Sequence, residues 1–363
     1  MSRILIIANT YYQLILSIQM KITILNEDKV VLLISDHSNG AEKVFEGLKS
    51  AGVFEQVSFI RTKGLVNNRN KSEKLGDFLD IAFRNDNRYS YYLKDIDDLC
   101  FDEMICYNYH IDMIGLYSLL SRVNNGIKMS LFEEGVLSYG IRFSETNGRK
   151  LIEQARRIQG KKNVSDGAYQ FYCYYPRLYK GPLKPVKVPV ISPGSECTSI
   201  LKELFNLNAD TLRYPQKYIY FSSVYDFECG KPIGEFELVK RIADLVGKGN
   251  LIIKTHPRDT RTVYRDYGLS VDKNSGIPWE AIQLSADFSD KVFMTATSGS
   301  VLAGSFMSKK PTKTFYMYKL CNISENYGAM GTASDIENLL KDKTVQDVLC
   351  KVTIVDNIKE ITQ

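Results

Sequence analysis

Two α/β domains, each built on a parallel sheet and joined by a proline-rich connection, are what this 363-residue sequence predicts. Three observations carry that reading. Short, nearly continuous apolar runs alternate with segments of helical period, the pattern of strands buried on both faces by helices. The alternation breaks at Gly181–Gly194, a stretch with four prolines, and then restarts. The length itself suits two domains at ~100–200 residues each.

In chain order, Arg3–Ala8 is a β-branched run that ends in polar Asn9-Thr10, and Tyr12–Leu25 follows with Leu14, Ile15, Ile18, Ile22 and Leu25 at helical spacing. Lys29–Ser35 reads as a buried strand, Ala41–Ala51 as a helix stopped near Gly52, and Val57–Ile60 as another strand. Residues 61–74 are polar and basic and read as a loop. Helices are expected at Lys74–Phe83 and Ile111–Val123, and strands at Phe101–Tyr107 and Ile127–Phe132. Asn147–Lys162 reads as a basic amphipathic helix with Arg149, Lys150, Arg156, Arg157, Lys161 and Lys162.

Proline removes a donor and restricts the residue before it, so Gly181–Gly194 is expected to be extended. The expected division is an N-terminal domain at 1–185, a linker at 186–215 and a C-terminal domain at 216–363. Beyond the linker, strands are expected at Lys217–Ser222, Asn250–Thr255, Lys291–Thr295 and Thr314–Tyr318. Helices are expected at Gly234–Val246 and from Trp279 to Leu284.

Composition excludes several classes. Apolar residues make up 44% and charged residues 25%, which argues against disorder, collagen and coiled coil. The net charge of +5 suits an anionic ligand or surface but is too weak and too evenly spread to argue for nucleic acid. Seven cysteines with no CxxC read as reduced cytosolic thiols. With His37, His110 and His256 the only histidines, no Cys/His cluster suggests zinc, and no metal is expected. MSRILIIANT reads as a first strand rather than a signal peptide, and no apolar stretch reaches the ~18 residues of a spanning helix.

Ligands of open α/β sheets sit beyond the carboxyl ends of strands, so polar residues placed there carry the most weight. Glu133-Glu134-Gly135 follows the strand ending at Phe132. Two carboxylates sharing a site raise at least one pKa, as a general base requires, although the same triplet would also serve as a solvated turn. Lys254-Thr255-His256-Pro257 places an imidazole at a strand tip beside Lys254 and Arg258, where it can donate to an anionic oxygen. Thr295–Val301 sets Ser298, Gly299 and Ser300 at a helix start, which is either plain capping or a phosphate seat. Gly276–Glu280 starts a helix with Pro278, and Glu280 could accept bonds from ribose hydroxyls. His37 also follows a strand and is a weaker candidate. GxGxxG, the P-loop and GxSxG are all missing. Asp95-Ile96-Asp97 lies in an acidic run that reads as solvated surface.

Taken together and in this order, Asn9–Leu14 (NTYYQL), Glu-Glu-Gly, His-Pro, Ile-Pro-Trp-Glu and the Ser-rich turn resemble the bacterial sialyltransferases of GT-B type, most nearly glycosyltransferase family 52. These motifs run from Asn9 to Ser300. Where relatives often carry two adjacent serines, Ser298 and Ser300 here flank Gly299. The resemblance implies two Rossmann-like domains with parallel sheets facing across a cleft. It also implies inverting transfer of sialic acid from CMP-sialic acid to a galactose-type hydroxyl of a capsule or lipooligosaccharide. By that likeness Glu134 would be the general base, with Glu133 the alternative or a fixer of the loop. His256 would stabilise or protonate the departing phosphate, Ser298 and Ser300 would bind it, and Glu280 would hold the ribose. Asn9, Gly135, Lys254, Pro257 and Gly299 complete the expected substrate-binding set. The likeness implies no cofactor and allows a homodimer.

Two alternatives stay open. One is a GT-B transferase using CMP-Kdo or a polyol-phosphate donor. The other is a non-catalytic scaffold that binds a nucleotide or glycan. The basic helix Asn147–Lys162 and the loop at 61–74 are further expected near the acceptor or the inner face of a membrane.

Overall fold

A computed structural model describes residues 1–38, 40–61, 76, 79, 86–109, 111–139, 147–228, 230–274 and 276–362. The basic loop at 62–74, His110 and the helix expected at 74–83 lie outside the described residues, apart from Gly76 and Leu79. The chain forms two compact units: Met1–Glu134 with Ile141–Pro189, and Gly135–Gly140 with Val190–Gln363.

The first unit is a seven-stranded sheet ordered β3-β2-β1-β4-β5-β6-β7, every neighbouring pair parallel. Its strands are β1 Arg3–Ala8, β2 Lys29–Ser35, β3 Gln56–Ile60, β4 Glu103–Cys106, β5 Lys128–Phe132, β6 Ala168–Cys173 and β7 Lys184–Lys187. The central strands are sealed from water, with Leu5, Ile6, Val30–Leu33, Met104, Ile105 and Leu131 all at 0% exposure. Each such side chain contributes ~1.5–3 kcal/mol on burial. Among the described residues the longer helices of this unit are α1 Tyr11–Ile22, α2 Ala41–Ala51, α3 Ile111–Val123 and α4 Asn147–Ile158. Thr10 caps α1 by accepting from the Gln13 N–H, and α2 stops at Gly52, whose φ of 64° suits a residue without Cβ.

The second unit repeats the plan with six parallel strands ordered β10-β9-β8-β11-β12-β13. They are β8 Tyr218–Phe221, β9 Leu251–Lys254, β10 Ser270–Val271, β11 Val292–Thr295, β12 Lys313–Tyr316 and β13 Val352–Ile354. Its longer helices are α5 Glu196–Leu204, α6 Glu235–Val246, α7 Trp279–Ser285, α8 Ser300–Ser308 and α9 Tyr327–Lys341. Both sheets run 3-2-1-4-5-6 from their own first strand, the Rossmann order, with a seventh strand added in the first unit. In each the order reverses between the first and fourth strands, where doubly wound sheets open a crevice for ligand.

Two expectations need correction here. The chain does cross between the units at Pro189–Val190, inside the expected linker 186–215, but the rest of that segment is not linker. Lys184–Lys187 is the edge strand β7, where Pro185 can lack an N–H without breaking an inner ladder, and α5 buries Cys197 and Leu201 completely. The chain also passes between units at Glu134–Gly135, a crossing no composition shift marks. The second correction concerns Arg156, counted among the surface charges of the basic helix. It is 1% exposed and donates to Ser118 Oγ (2.6 Å), Asn163 Oδ1 (3.2 Å) and Lys162 O (2.8 Å).

Candidate active site

In the first unit the adjacent carboxylates have opposite surroundings. Glu133 extends the ladder beyond β5, its N–H donating to Tyr172 O at 3.0 Å, and its side chain points into the unit at 0% exposure. There it accepts from the Tyr12 hydroxyl and from the Tyr174 N–H (3.1 Å). Glu133 is therefore a fully engaged internal group, which corrects its expected place among the substrate-binding residues. Successive residues of an extended strand face opposite ways. Glu134 is half-buried, and burial pushes its carboxyl up to about 7, with the side chains of Gln13 and Thr10 holding it down in part. Its charge also helps burial raise the neighbouring Tyr107 hydroxyl to about 12. A carboxylate tuned near neutrality can take a proton and release it at working pH. Gly135 then adopts φ +95°, turning the chain away, so its role is conformational.

Asn9 sits at the end of β1, with its N–H donating to Gln13 Oε1 (2.6 Å) and its carbonyl accepting from Ser38 Oγ. With Thr10, Tyr11, Leu14, Ser35, Ser38 and Ala41 it lines a small, mostly apolar pocket at the carboxyl ends of β1 and β2. Thr10, Tyr12 and Gln13 stand within the NTYYQL motif, in which only Asn9 was given a role from the sequence. The spacing Thr10-x-x-Gln13 is a capping-box pattern and could have flagged two of them.

In the second unit the reversal point lies between β8 and β11, and His256, Ser222 and the Thr295–Ser300 turn all follow its strands. Thr295 Oγ1 donates to Phe221 O on β8 (2.8 Å) and accepts from the Ser298 N–H (2.8 Å). The Tyr316 hydroxyl of β12 donates to Ser298 O (2.6 Å). The turn is thus pinned to both neighbouring strands before α8 begins at Ser300. No side chain caps that helix start, Gly299 being its N-cap residue, so its first-turn amides and positive dipole end are available to an anion. Ser298, Gly299 and Ser300 are each half-buried.

His256 is set by backbone bonds. Its N–H donates to Ser222 Oγ (3.0 Å), and its Nδ1 accepts from the Arg258 N–H (3.2 Å). Burial, helped by the positive charge of Arg258, lowers its pKa to about 4. With its pKa so lowered the ring is neutral at neutral pH, which favours the stabilising role expected of it over the protonating one. Because Nδ1 accepts, the remaining proton sits on Nε2, which is a donor. Pro257, just beyond, is exposed and forms the turn leaving the strand.

Lys254 was expected on an anion. It is instead buried in an ion pair with Asp272 (2.9 Å), and its Nζ donates to Asn274 O (2.8 Å) and Ile277 O. Asp272 also accepts from the Tyr214 hydroxyl and the Asn274 N–H. The lysine thus clamps the turn that leads to Glu280 on the first turn of α7. Glu280 is half-buried, and burial raises its pKa while its own N–H and Lys254 pull it back. Trp279 points the other way, packed against Tyr214, Phe221, Phe288 and Phe293. Ser222 and Ser223, which follow β8, were given no role from the sequence; Ser222 accepts from the His256 N–H, and the Ser223 hydroxyl donates to Glu235. His37 is exposed at the end of β2. Among the described residues no group of three or more His, Cys, Asp or Glu is placed to hold a metal ion.

No protein-family model matches the chain, and no curated protein matches its sequence. Among solved structures, the chain is similar to an α/β-galactoside α-2,3-sialyltransferase from Photobacterium phosphoreum, at 11% identity and a TM-score of 0.47 over 99% of this chain and 98% of that one. It is also similar to S. aureus MnaA with UDP, at 11% identity and a TM-score of 0.45 over 99% and 94% of the two chains. A third likeness is to CalG4, the calicheamicin glycosyltransferase, at 10% identity and a TM-score of 0.45 over 99% and 96%. Identities this low carry no residue roles from one chain to another.

Proposed function

We propose that the chain is an inverting glycosyltransferase that moves sialic acid from CMP-sialic acid to a galactose-type hydroxyl of a bacterial surface glycan. The observation that carries the reading is Glu134, a half-buried carboxylate brought to about 7 at the carboxyl edge of a Rossmann sheet, beside an inert twin. Glu134 takes the proton of the acceptor hydroxyl as that oxygen bonds to the anomeric carbon. The bond from that carbon to the phosphate oxygen breaks on the opposite side, and its electron pair leaves with CMP. The Nε2–H of neutral His256, the hydroxyls of Ser298 and Ser300 and the first amides of α8 meet the charge that develops on the phosphate. Glu280 accepts from the ribose. A monophosphate leaving group carries less charge than a diphosphate, so these neutral donors suffice in this scheme without a metal.

The test is CMP release from CMP-sialic acid with a galactoside acceptor, by wild type, Glu134→Gln and His256→Ala. Turnover by wild type that both variants lose while melting normally supports the reading. Release only from CMP-Kdo or a polyol-phosphate donor would move the assignment to another transferase. No turnover of any of these donors would leave a binding scaffold.

A further inference from the structure

The helix α4 and the residues that end it, Asn147–Lys162, hold six basic residues and one acid, a net of +5 that equals the whole chain's. The structure sorts those charges. Arg156 is spent inward on Ser118, Asn163 and Lys162, and Glu153 is held by Ser165, whose hydroxyl donates to it at 2.9 Å. Arg156 and Ile152 anchor the helix to its unit, both under 5% exposed. The outward face is different. Leu151 is 57% exposed and Ile158 88% exposed, against an interior that hides nearly every other large aliphatic side chain. They lie seven residues apart, two helical turns, and so share one face. Lys150 and Arg157 have the same spacing and form a second, cationic row beside the first; both are exposed, and Arg157 also makes a surface ion pair with Asp166 (3.3 Å), of the kind worth little in water. The neighbouring helix α3, to which Arg156 is bonded, ends in Val123 at 52% exposure.

Solvated helix faces do not usually carry such aliphatic side chains in register with cations. An anionic lipid surface accepts both: the apolar row enters the acyl boundary, and the cations stay with the headgroups. We propose that α4 is an interfacial helix that docks the protein on an anionic membrane through Leu151 and Ile158, with Lys150 and Arg157 against lipid phosphates. A charge-only surface would not need the aliphatic row. An ordinary protein interface would be depleted of lysine in its centre.

The full chain is tested by flotation with vesicles of phosphatidylcholine alone or mixed equally with phosphatidylglycerol. Wild type is expected to float with the mixed vesicles and to be released by salt. Leu151→Ser with Ile158→Ser should weaken that binding at least ~10-fold. Lys150→Gln with Arg157→Gln should weaken it about fivefold per charge removed. Melting temperature and turnover of a soluble acceptor should stay unchanged in both, which separates membrane docking from the catalytic reading. Equal binding to both vesicle types, or serine variants that float like wild type, would overturn the proposal. So would a wild-type dimer that the serine pair dissociates, because the face would then meet a second copy of this chain.

Discussion

Among the described residues, burial raises a carboxylate to about 7 in each unit, and the two have different surroundings. Glu235 starts α6 in the second unit at 0% exposure. It accepts from the Ser223 N–H, the Ser223 hydroxyl (2.8 Å) and the Tyr220 hydroxyl (3.0 Å). Those donors lower its pKa, and burial outweighs them. Glu134 is half-buried, carries a lighter set of donors and stands where β5 has just ended. The same shift therefore marks a sealed group in one unit and a half-buried one in the other. A perturbed pKa points to function only when the group is also accessible.

The sharpest way to break the comparison is to neutralise each carboxylate. Glu134→Gln is expected to lower kcat ~10²–10⁴-fold with little change in melting temperature. If it unfolds the protein instead, or leaves kcat intact, Glu134 is structural and the contrast with Glu235 disappears. His256 comes next. If it serves as the proposed neutral Nε2–H donor, His256→Ala should cost ~10²–10³-fold in kcat, and His256→Gln, which keeps an N–H donor, should recover part of that. Equal loss in both variants would return His256 to the role of an acid.

Protonation sharpens the comparison further. Activity should rise with pH through about 7 as Glu134 ionises, with no falling limb between 5 and 9 from His256, since that imidazole is already neutral above about 4. A bell centred near neutrality would contradict both assignments. Stability should move the other way. Glu235 binds its proton more tightly folded than unfolded, so its contribution is present below its ordinary 4.5 and is lost as pH rises to about 7. That loss is on the order of 3 kcal/mol. His256, with a depressed pKa, opposes it: its contribution is full above its ordinary 6.5 and is lost as pH falls toward about 4. Thermal melts of wild type and Glu235→Gln between pH 5 and 8 read the difference, and parallel curves would remove Glu235 from the account.

The inner strands and several helices were legible because local pattern and tertiary fate agree there. Lys29–Ser35, Ala41–Ala51 and Ile111–Val123 have the bounds their apolar runs and glycine stop suggest. Legibility failed where a distant partner decides. Ala168–Cys173 (AYQFYC) lacks a clean apolar run and becomes a strand by pairing with β5 and β7. Lys254 beside His256 looks like an anion ligand until Asp272 arrives from the next strand. Glu133 and Glu134 are indistinguishable in one dimension, and only Tyr12 and the Tyr174 amide tell them apart. The strand-end rule picks out the polar residues at the carboxyl edges, but not which of them are spent on holding their neighbours.

The smallest expected effect tests the crossing between the units. Gly135 has φ +95°, a conformation that costs a residue with Cβ ~1–2 kcal/mol, and Gly135–Gly140 belongs to the second unit, where Ser138 and Tyr139 are buried and the Tyr139 ring lies 6.4 Å from Phe306 of α8. The chain therefore leaves the first unit directly after Glu134. Gly135→Ala should lower the melting temperature by a few degrees. If that turn also sets the base, kcat should fall several-fold while KM for the CMP-sugar holds, because the amides and hydroxyls of α8 remain as they were. A fall in stability with kcat untouched would mean that Glu134 is held by Thr10 and Gln13 alone, and that the two carboxyl edges are tuned independently.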